Sequence, residues 1–248
     1  EALPQNSRNF LAFADTIPGI AVTRSGVDEV TSLRSGAQIS NGINVYIDGV
    51  GQKDYVLKGG ITGQDSTAGN PFPQLAVGEY KVITSNYKAE YDQLSSAAIT
   101  AVTKSGTNGF EGKDILRPRD VTPGPTTGTR VPIERLPVGV QDLIRNSTGS
   151  PFSEDLWFGK LSWTPGDAHL VEFTIKDRKE DDLANIGNLN TADYGTSRAG
   201  KDSRYDLRYQ YSAQNWLNDA HITYEDASFG PRPVTMGPGF RSEEHTSE

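Results

Sequence analysis

Apolar and polar positions alternate most regularly after residue 155. Trp157, Gly159, Leu161 and Trp163 share one parity, and Phe158, Lys160, Ser162 and Thr164 take the other. Beyond the turn signal Pro165-Gly166-Asp167, Val171, Phe173 and Ile175 oppose Glu172, Thr174 and Lys176. Tyr205, Leu207, Tyr209 and Tyr211 then oppose Asp206, Arg208, Gln210 and Ser212; Ala220, Ile222 and Tyr224 oppose His221, Thr223 and Glu225. A period of two belongs to a strand with one apolar and one polar face, because successive side chains leave opposite sides of the backbone. The pattern predicts strands of about 8–10 residues, the length a tilted strand needs to cross a hydrocarbon layer. Short connections join the first pair and the last pair, the latter through Ala213–Asn218, while a polar stretch over about 177–204 reads as a long loop. Trp157, Trp163, Trp216, Tyr205, Tyr211 and Tyr224 fall near the predicted strand ends. A soluble antiparallel sheet with one wet face and a membrane β-barrel both produce this pattern.

The first half is patterned differently. Phe10, Leu11, Phe13 and Ala14 stand near helical spacing, with Asn6 or Ser7 as N-cap and Pro18-Gly19 as the stop. Ile20–Thr23 predicts a short strand. NVYIDGV (44–50) predicts a strand closed by an Asp-Gly turn. A Gly/Gln/Asn-rich loop follows from about Gly51 to Asn70, then a helical turn at Pro73–Val77, a strand at 79–85 and a β-branched strand at 97–106. The stretch from about 110 to 154 alternates poorly, and its register stays open.

Composition narrows the class. Of the 248 residues 35% are hydrophobic, mean hydropathy is -0.54, and Gly (26) and Pro (14) are plentiful. No run approaches the roughly 18–20 apolar residues of a membrane helix, which leaves strand-crossing open. The net charge of -8 argues against a nucleic-acid partner. With no cysteine, the chain has neither disulfides nor thiolate chemistry. The chain opens on Glu1 without a basic and apolar leader, so a removed signal peptide or a missing N-terminus is expected. The last residues, RSEEHTSE (241–248), back-translate as AGA TCG GAA GAG CAC ACG TCT GAA, the start of a common sequencing-library adapter. They are read as a non-native tail, with the natural chain cut near Phe240; without them the charge is -6 and His245 drops out.

RNFLAFADTIPGI, NVYIDGV and VGEYKVITSNYKAEYDQLSSAAITAVTKSGTNGFEG, in that order and spacing, resemble the plug domain of TonB-dependent outer-membrane receptors. Within that family they resemble the Oar-like branch, in which a carboxypeptidase-regulatory-like domain often precedes the plug. The resemblance implies a mixed α+β plug domain at 1–109, followed at 110–240 by antiparallel β-strands of an incomplete outer-membrane β-barrel. The plug motif falls on Asp48, Gly49, Lys104, Ser105, Gly106, Thr107 and Asn108. Lipid-facing barrel candidates are Trp157, Leu161, Trp163, Val171, Phe173, Ile175, Tyr205, Leu207, Tyr209, Tyr211, Ile222 and Tyr224. The implied location is the outer membrane of a Gram-negative bacterium. The implied partners are outer-membrane lipid, an extracellular ligand, and the TonB complex, reached through a segment outside this chain. The implied function is TonB-coupled import by the parent protein. An Oar-like adhesin or structural surface protein without transport is the alternative.

No enzymatic role or cofactor is expected. His169 and His221 lack paired metal-ligand spacing, and Glu180-Asp181-Asp182 lacks the spaced ligands of a calcium loop. GxSxG, P-loop and HExxH patterns are missing, and Gly59-Gly60 with Gly63 is too loose to cradle phosphate. A secreted carbohydrate-active sandwich lacks a convincing carboxylate pair. Asp48 and Asp92 are candidates for plug–barrel contacts, alongside plain turn and strand-end roles.

Overall fold

The computed structural model describes residues 9–25, 30–35, 42–57, 59–64, 69–89, 91–104, 138, 151–185 and 194–236. Ser105–Asn108, the stretch 110–137 and the tail 241–248 lie outside them.

The N-terminal unit is built almost entirely from strands. A hairpin pairs β1 (Ile20–Ser25) with β2 (Val30–Ser35). A four-stranded sheet follows in the order β4-β3-β6-β5, from β3 (Ile43–Ile47), β4 (Val50–Gly51), β5 (Val77–Ile83) and β6 (Ala97–Thr103). Strands β3 and β6 run parallel; the other pairs are antiparallel. The turn between β3 and β4 puts Asp48 and Gly49 at φ 50 and 87. That is the left-handed pair a tight hairpin demands, and Asp-Gly adopts it at little cost. The core gathers Phe10, Leu11, Leu33, Ile43, Val45, Ile61 and Ile99, all fully buried, with Phe72 closing one side.

The expected mixed α+β domain is not what forms. Among the described residues 9–104 there is no α-helix, only the 3-10 helix Phe10–Thr16 and a 3-10 turn at Gln74–Ala76. The first begins at Asn9, whose side chain accepts from Leu11 N at 3.0 Å, rather than at Asn6 or Ser7. Between that cap and Pro18-Gly19 there is room for about two turns, too little for an α-helix to recover its nucleation cost. The segment winds tighter instead.

The C-terminal unit is an antiparallel meander, β7 (Phe152–Gly166), β8 (His169–Ala184), β9 (Thr196–Ser212) and β10 (Leu217–Pro233). It is an open sheet and closes no barrel. The predicted alternation is present, but the strands are much longer than its extent. Most of the expected loop at 177–204 is paired strand, with Asp177↔Ser203 and Lys179↔Lys201 in register. Both faces are polar there, so hydrophobic periodicity disappears while the backbone ladder continues.

Candidate functional site: a charged seam under an apolar wall

Register aligns the apolar positions into rows across the sheet. Leu161, Phe173, Leu207 and Ile222 form one row; Gly159, Ile175, Tyr205 and Tyr224 form the next. Trp163, Val171, Tyr209 and Ala220 form a third. This face looks away from the rest of the protein: Trp157, Leu161, Trp163, Ile222 and Tyr224 are each more than 60% exposed. Phe173, Ile175, Tyr205, Leu207 and Tyr209 are also exposed, and Val171 and Tyr211 are half-buried. All twelve candidates therefore share one continuous face.

Aromatic residues bound it at both ends. At one end stand the Tyr205–Tyr224 pair on β9 and β10 and, one row further along on β7, Trp157; Trp163, Tyr211 and Trp216 lie at the turn end, the last two 5.3 Å apart. From Trp157 to Trp163 is about 20 Å along the strand. Beyond Trp157 the same face turns polar, through Asp177, Lys179 and Asp181.

The opposite face is charged and covered by the N-terminal unit. Lys160 Nζ lies 3.1 Å from Asp48 and 3.0 Å from Glu172. Glu172 holds Arg208 at 3.1 Å, Arg208 donates from Nε to Asp219 at 2.9 Å, and Asp219 meets His221 at 3.1 Å. Arg204 donates to the Gly51 carbonyl at 2.7 Å and pairs with Glu225, which accepts from the Thr62 hydroxyl at 2.7 Å. Deeper in the seam Lys176 pairs with Asp202, and Arg178 with both Glu180 and Glu154. Glu154 also accepts from Asn70 N at 2.7 Å. Phe158 supplies the seam's ring contact, with its centroid 5.0 Å from that of Phe72. Buried charges are tolerable only when compensated; each of these has a partner of opposite sign, with hydrogen bonds added at Glu154, Arg178, Arg204 and Glu225.

Glycine lets the Gly-rich loop approach so closely. A Cβ on Gly63, which sits at φ 85, would strike the Arg178 guanidinium. A Cβ on Gly69 would strike Glu180 and Glu154. The loop expected from composition is thus a docking surface.

Of the expected contact residues, Asp48 crosses the seam. It also ties its own turn to β6 by accepting from Thr103 N at 2.8 Å. Asp92 stays within the N-terminal unit, its carbonyl accepting from the Tyr46 hydroxyl and Asn44 Nδ2. Burial first, and Asp92 second, push the Tyr46 hydroxyl up to about 12. Lys104 is exposed and donates its backbone N–H to Ala76. His169 stacks against Tyr209 and Tyr211. Glu180 and Asp182, expected in a solvated loop, are buried ion-pair partners on β8. Among the described residues no group of three His, Asp or Glu side chains is arranged to hold a metal. No helix among them is long and apolar enough to cross a membrane.

Sequence reading assigned the inner face to polar positions but did not identify the ladder. The signal was present as residues of opposite sign on one parity, yet the pairs meet only once register is known.

No family model matches the chain. The chain is similar to the TonB-dependent transporter Oar of Myxococcus xanthus, 30% identical over 162 residues that take in 57% of this chain. It spans about 15% of that relative's length. The relation this supports is a distant one, to TonB-dependent transporters, and the strand-rich architecture agrees with it.

Proposed function

We propose that the chain is a section of a TonB-dependent outer-membrane receptor, comprising part of the barrel wall and the unit that fills the lumen behind it. The observation that carries this reading is the polarity of the β7–β10 sheet, which exposes its apolar face and buries its charged one. Water makes that arrangement unfavourable, since an exposed apolar patch of this extent marks an interaction surface. Lipid reverses the preference. An outward apolar band about 25 Å tall between aromatic girdles, with a polar interior, is what a bilayer selects. The Trp157–Trp163 band has that scale, and the two short turns lie at its near end.

In this reading the twelve outward residues face lipid, and the two short turns, of two and four residues, point to the periplasm. The long polar ends of β8 and β9 rise above the outer leaflet of a Gram-negative envelope. The charged seam seats the N-terminal unit as a plug. The parent binds an extracellular ligand and imports it with energy delivered through the TonB complex, which engages a segment outside this chain. The chain carries no catalytic chemistry and needs no cofactor.

All three tryptophans, Trp157, Trp163 and Trp216, lie on the sheet or its turn, so tryptophan emission reports on the wall alone. In vesicles with acyl-brominated lipids, strong quenching of that emission is expected. Unquenched emission, or a monodisperse chain without detergent, would overturn the wall assignment. For the parent, loss of ligand uptake on removing TonB is expected; uptake that persists would exclude energised import.

A further inference from the structure

Residues 69–73 touch both the wall and the 3-10 helix near the start of the chain. On the wall side, Asn70 donates its backbone N–H to Glu154 at 2.7 Å and its side-chain amide at 3.4 Å. Gly69 lies so close that a Cβ there would strike Glu154 and Glu180. Phe72 meets Phe158 edge-on, with centroids 5.0 Å apart. Among the described residues, Phe158 is the one apolar wall side chain that packs against the N-terminal core. On the other side, Phe72 makes a second edge-on contact with Phe10, at 5.9 Å, and Pro73 forms an isolated antiparallel bridge with Asn9.

Three rings therefore stand in series, Phe10, Phe72 and Phe158, and the middle one is 2% exposed. Edge-to-face contacts are directional, since the positive edge of one ring meets the negative face of the next. Close-packed interiors also transmit strain rather than absorb it. Asn9 fixes where Phe10 begins: its side chain caps the helix at Leu11 N, and its backbone bridges Pro73. The lower contacts are held differently. Asp48 is tied to β6, accepting from Thr103 N and donating its own N–H to the Ala101 carbonyl at 2.9 Å. Neither tie runs through the 3-10 helix. The seam thus has a lower part fixed to the sheet of the N-terminal unit and an upper part fixed to the helix.

We infer that Phe72 is a coupling residue, through which the position of the 3-10 helix Phe10–Thr16 sets whether residues 69–73 stay seated on the wall. Moving the helix draws Phe72 off Phe158 and opens the bond from Asn70 to Glu154, while the Asp48 contacts stay closed. The upper seam is therefore a contact that the N-terminal end of the chain controls. The inference holds whatever phase covers the outer face, and so goes beyond the proposed function.

The test is hydrogen exchange of the full chain in detergent micelles, read at two amides. Asn70 reports the upper seam; Asp48 reports the N-terminal sheet and the lower seam. Phe10→Leu keeps most of the buried bulk and removes the ring. It is expected to raise Asn70 exchange about fivefold at unchanged Asp48 exchange, a local opening of the size that one ring contact controls. Phe158→Leu should raise it too. In the double variant the rise should fall short of the product of the two, because both act through Phe72. Leu11→Val disturbs the same helix at a fully buried residue that has no ring, and should leave the ratio of the two amides unchanged. An unchanged ratio in Phe10→Leu, a fully multiplicative double variant, or an equal rise in Leu11→Val would overturn the coupling.

Discussion

The two halves of the molecule hide opposite things. The N-terminal unit buries Phe10, Leu11, Ile43, Val45 and Ile99 and turns its polar surface outward, as a water-soluble domain does. The β7–β10 sheet buries Lys176, Arg178, Glu180 and Asp202 and turns Trp157, Leu161, Trp163 and Ile222 outward. Both are strand structures, and alternation in the sheet is as regular as in any soluble one. The difference teaches that alternation fixes which residues share a face but not which face is inside. That second choice is set by what lies against each face: protein with matching charges on one side and, in the proposed reading, a non-aqueous phase on the other.

The largest effect is expected where the inverted sheet is most committed. Arg178 is 2% exposed and holds Glu180 and Glu154 while filling the space over Gly63. Arg178→Ala takes the guanidinium away from two carboxylates in the seam, and losing one partner of a buried ion pair costs about 3–5 kcal/mol. Urea unfolding in micelles should show that loss. Gly63→Ala should cost less alone, by straining a left-handed backbone and displacing the guanidinium. In combination with Arg178→Ala its steric component should vanish, so the two costs should fall short of additive. Full additivity would mean that the loop does not rest on Arg178.

How far these features were legible in the sequence follows from the same asymmetry. The outward rows were readable because Leu161, Phe173, Leu207 and Ile222 are each flanked by polar neighbours. Asp48-Gly49 was readable because few sequences satisfy so tight a turn. The length of β8 and β9 was not, since around Lys179 and Lys201 both faces are polar and period two leaves no hydrophobic trace. The FLAFADT segment misled for a related reason. Helical spacing over so few residues fits a 3-10 helix as well as an α-helix, and only the distance from Asn9 to Pro18 decides. β2 carried no clear signal, because VTSLRS offers one large apolar residue, Leu33, to the core. The charged seam depends on register, which no single strand contains.

A matched pair of truncations sharpens the comparison at a middle magnitude. Ile99, fully buried on β6, should cost about 2–5 kcal/mol when cut to Ala, through lost transfer energy and the cavity left behind. Leu161, 68% exposed on β7, should change stability in micelles by less than about 0.5 kcal/mol on the same substitution. Unfolding midpoints of the two variants measure the contrast directly. A large cost at Leu161 would mean that protein, rather than detergent or lipid, covers the outer face.

The smallest effect is a titration, and it probes whether the N-terminal interior excludes charge as firmly as the seam accepts it. Burial and the neighbouring Asp92 carboxylate push the Tyr46 hydroxyl up to about 12, and burial alone raises that of Tyr80. Both shifts favour the neutral phenol in the folded state. The stabilisation they represent is fully present below the unfolded value near 10 and is lost as pH climbs from there through the folded value. Absorbance of the phenolate band should therefore show most tyrosines titrating near pH 10, with a late fraction that appears together with loss of N-terminal structure. Asp92→Asn removes the repelling charge while leaving the Asp92 carbonyl that accepts from the Tyr46 hydroxyl at 2.6 Å, so Tyr46 should titrate earlier. Tyr80, raised by burial alone, should not move. If Asp92→Asn shifted both tyrosines equally, the unit would be opening as a whole before either phenol ionises, and its interior would not be holding off charge locally.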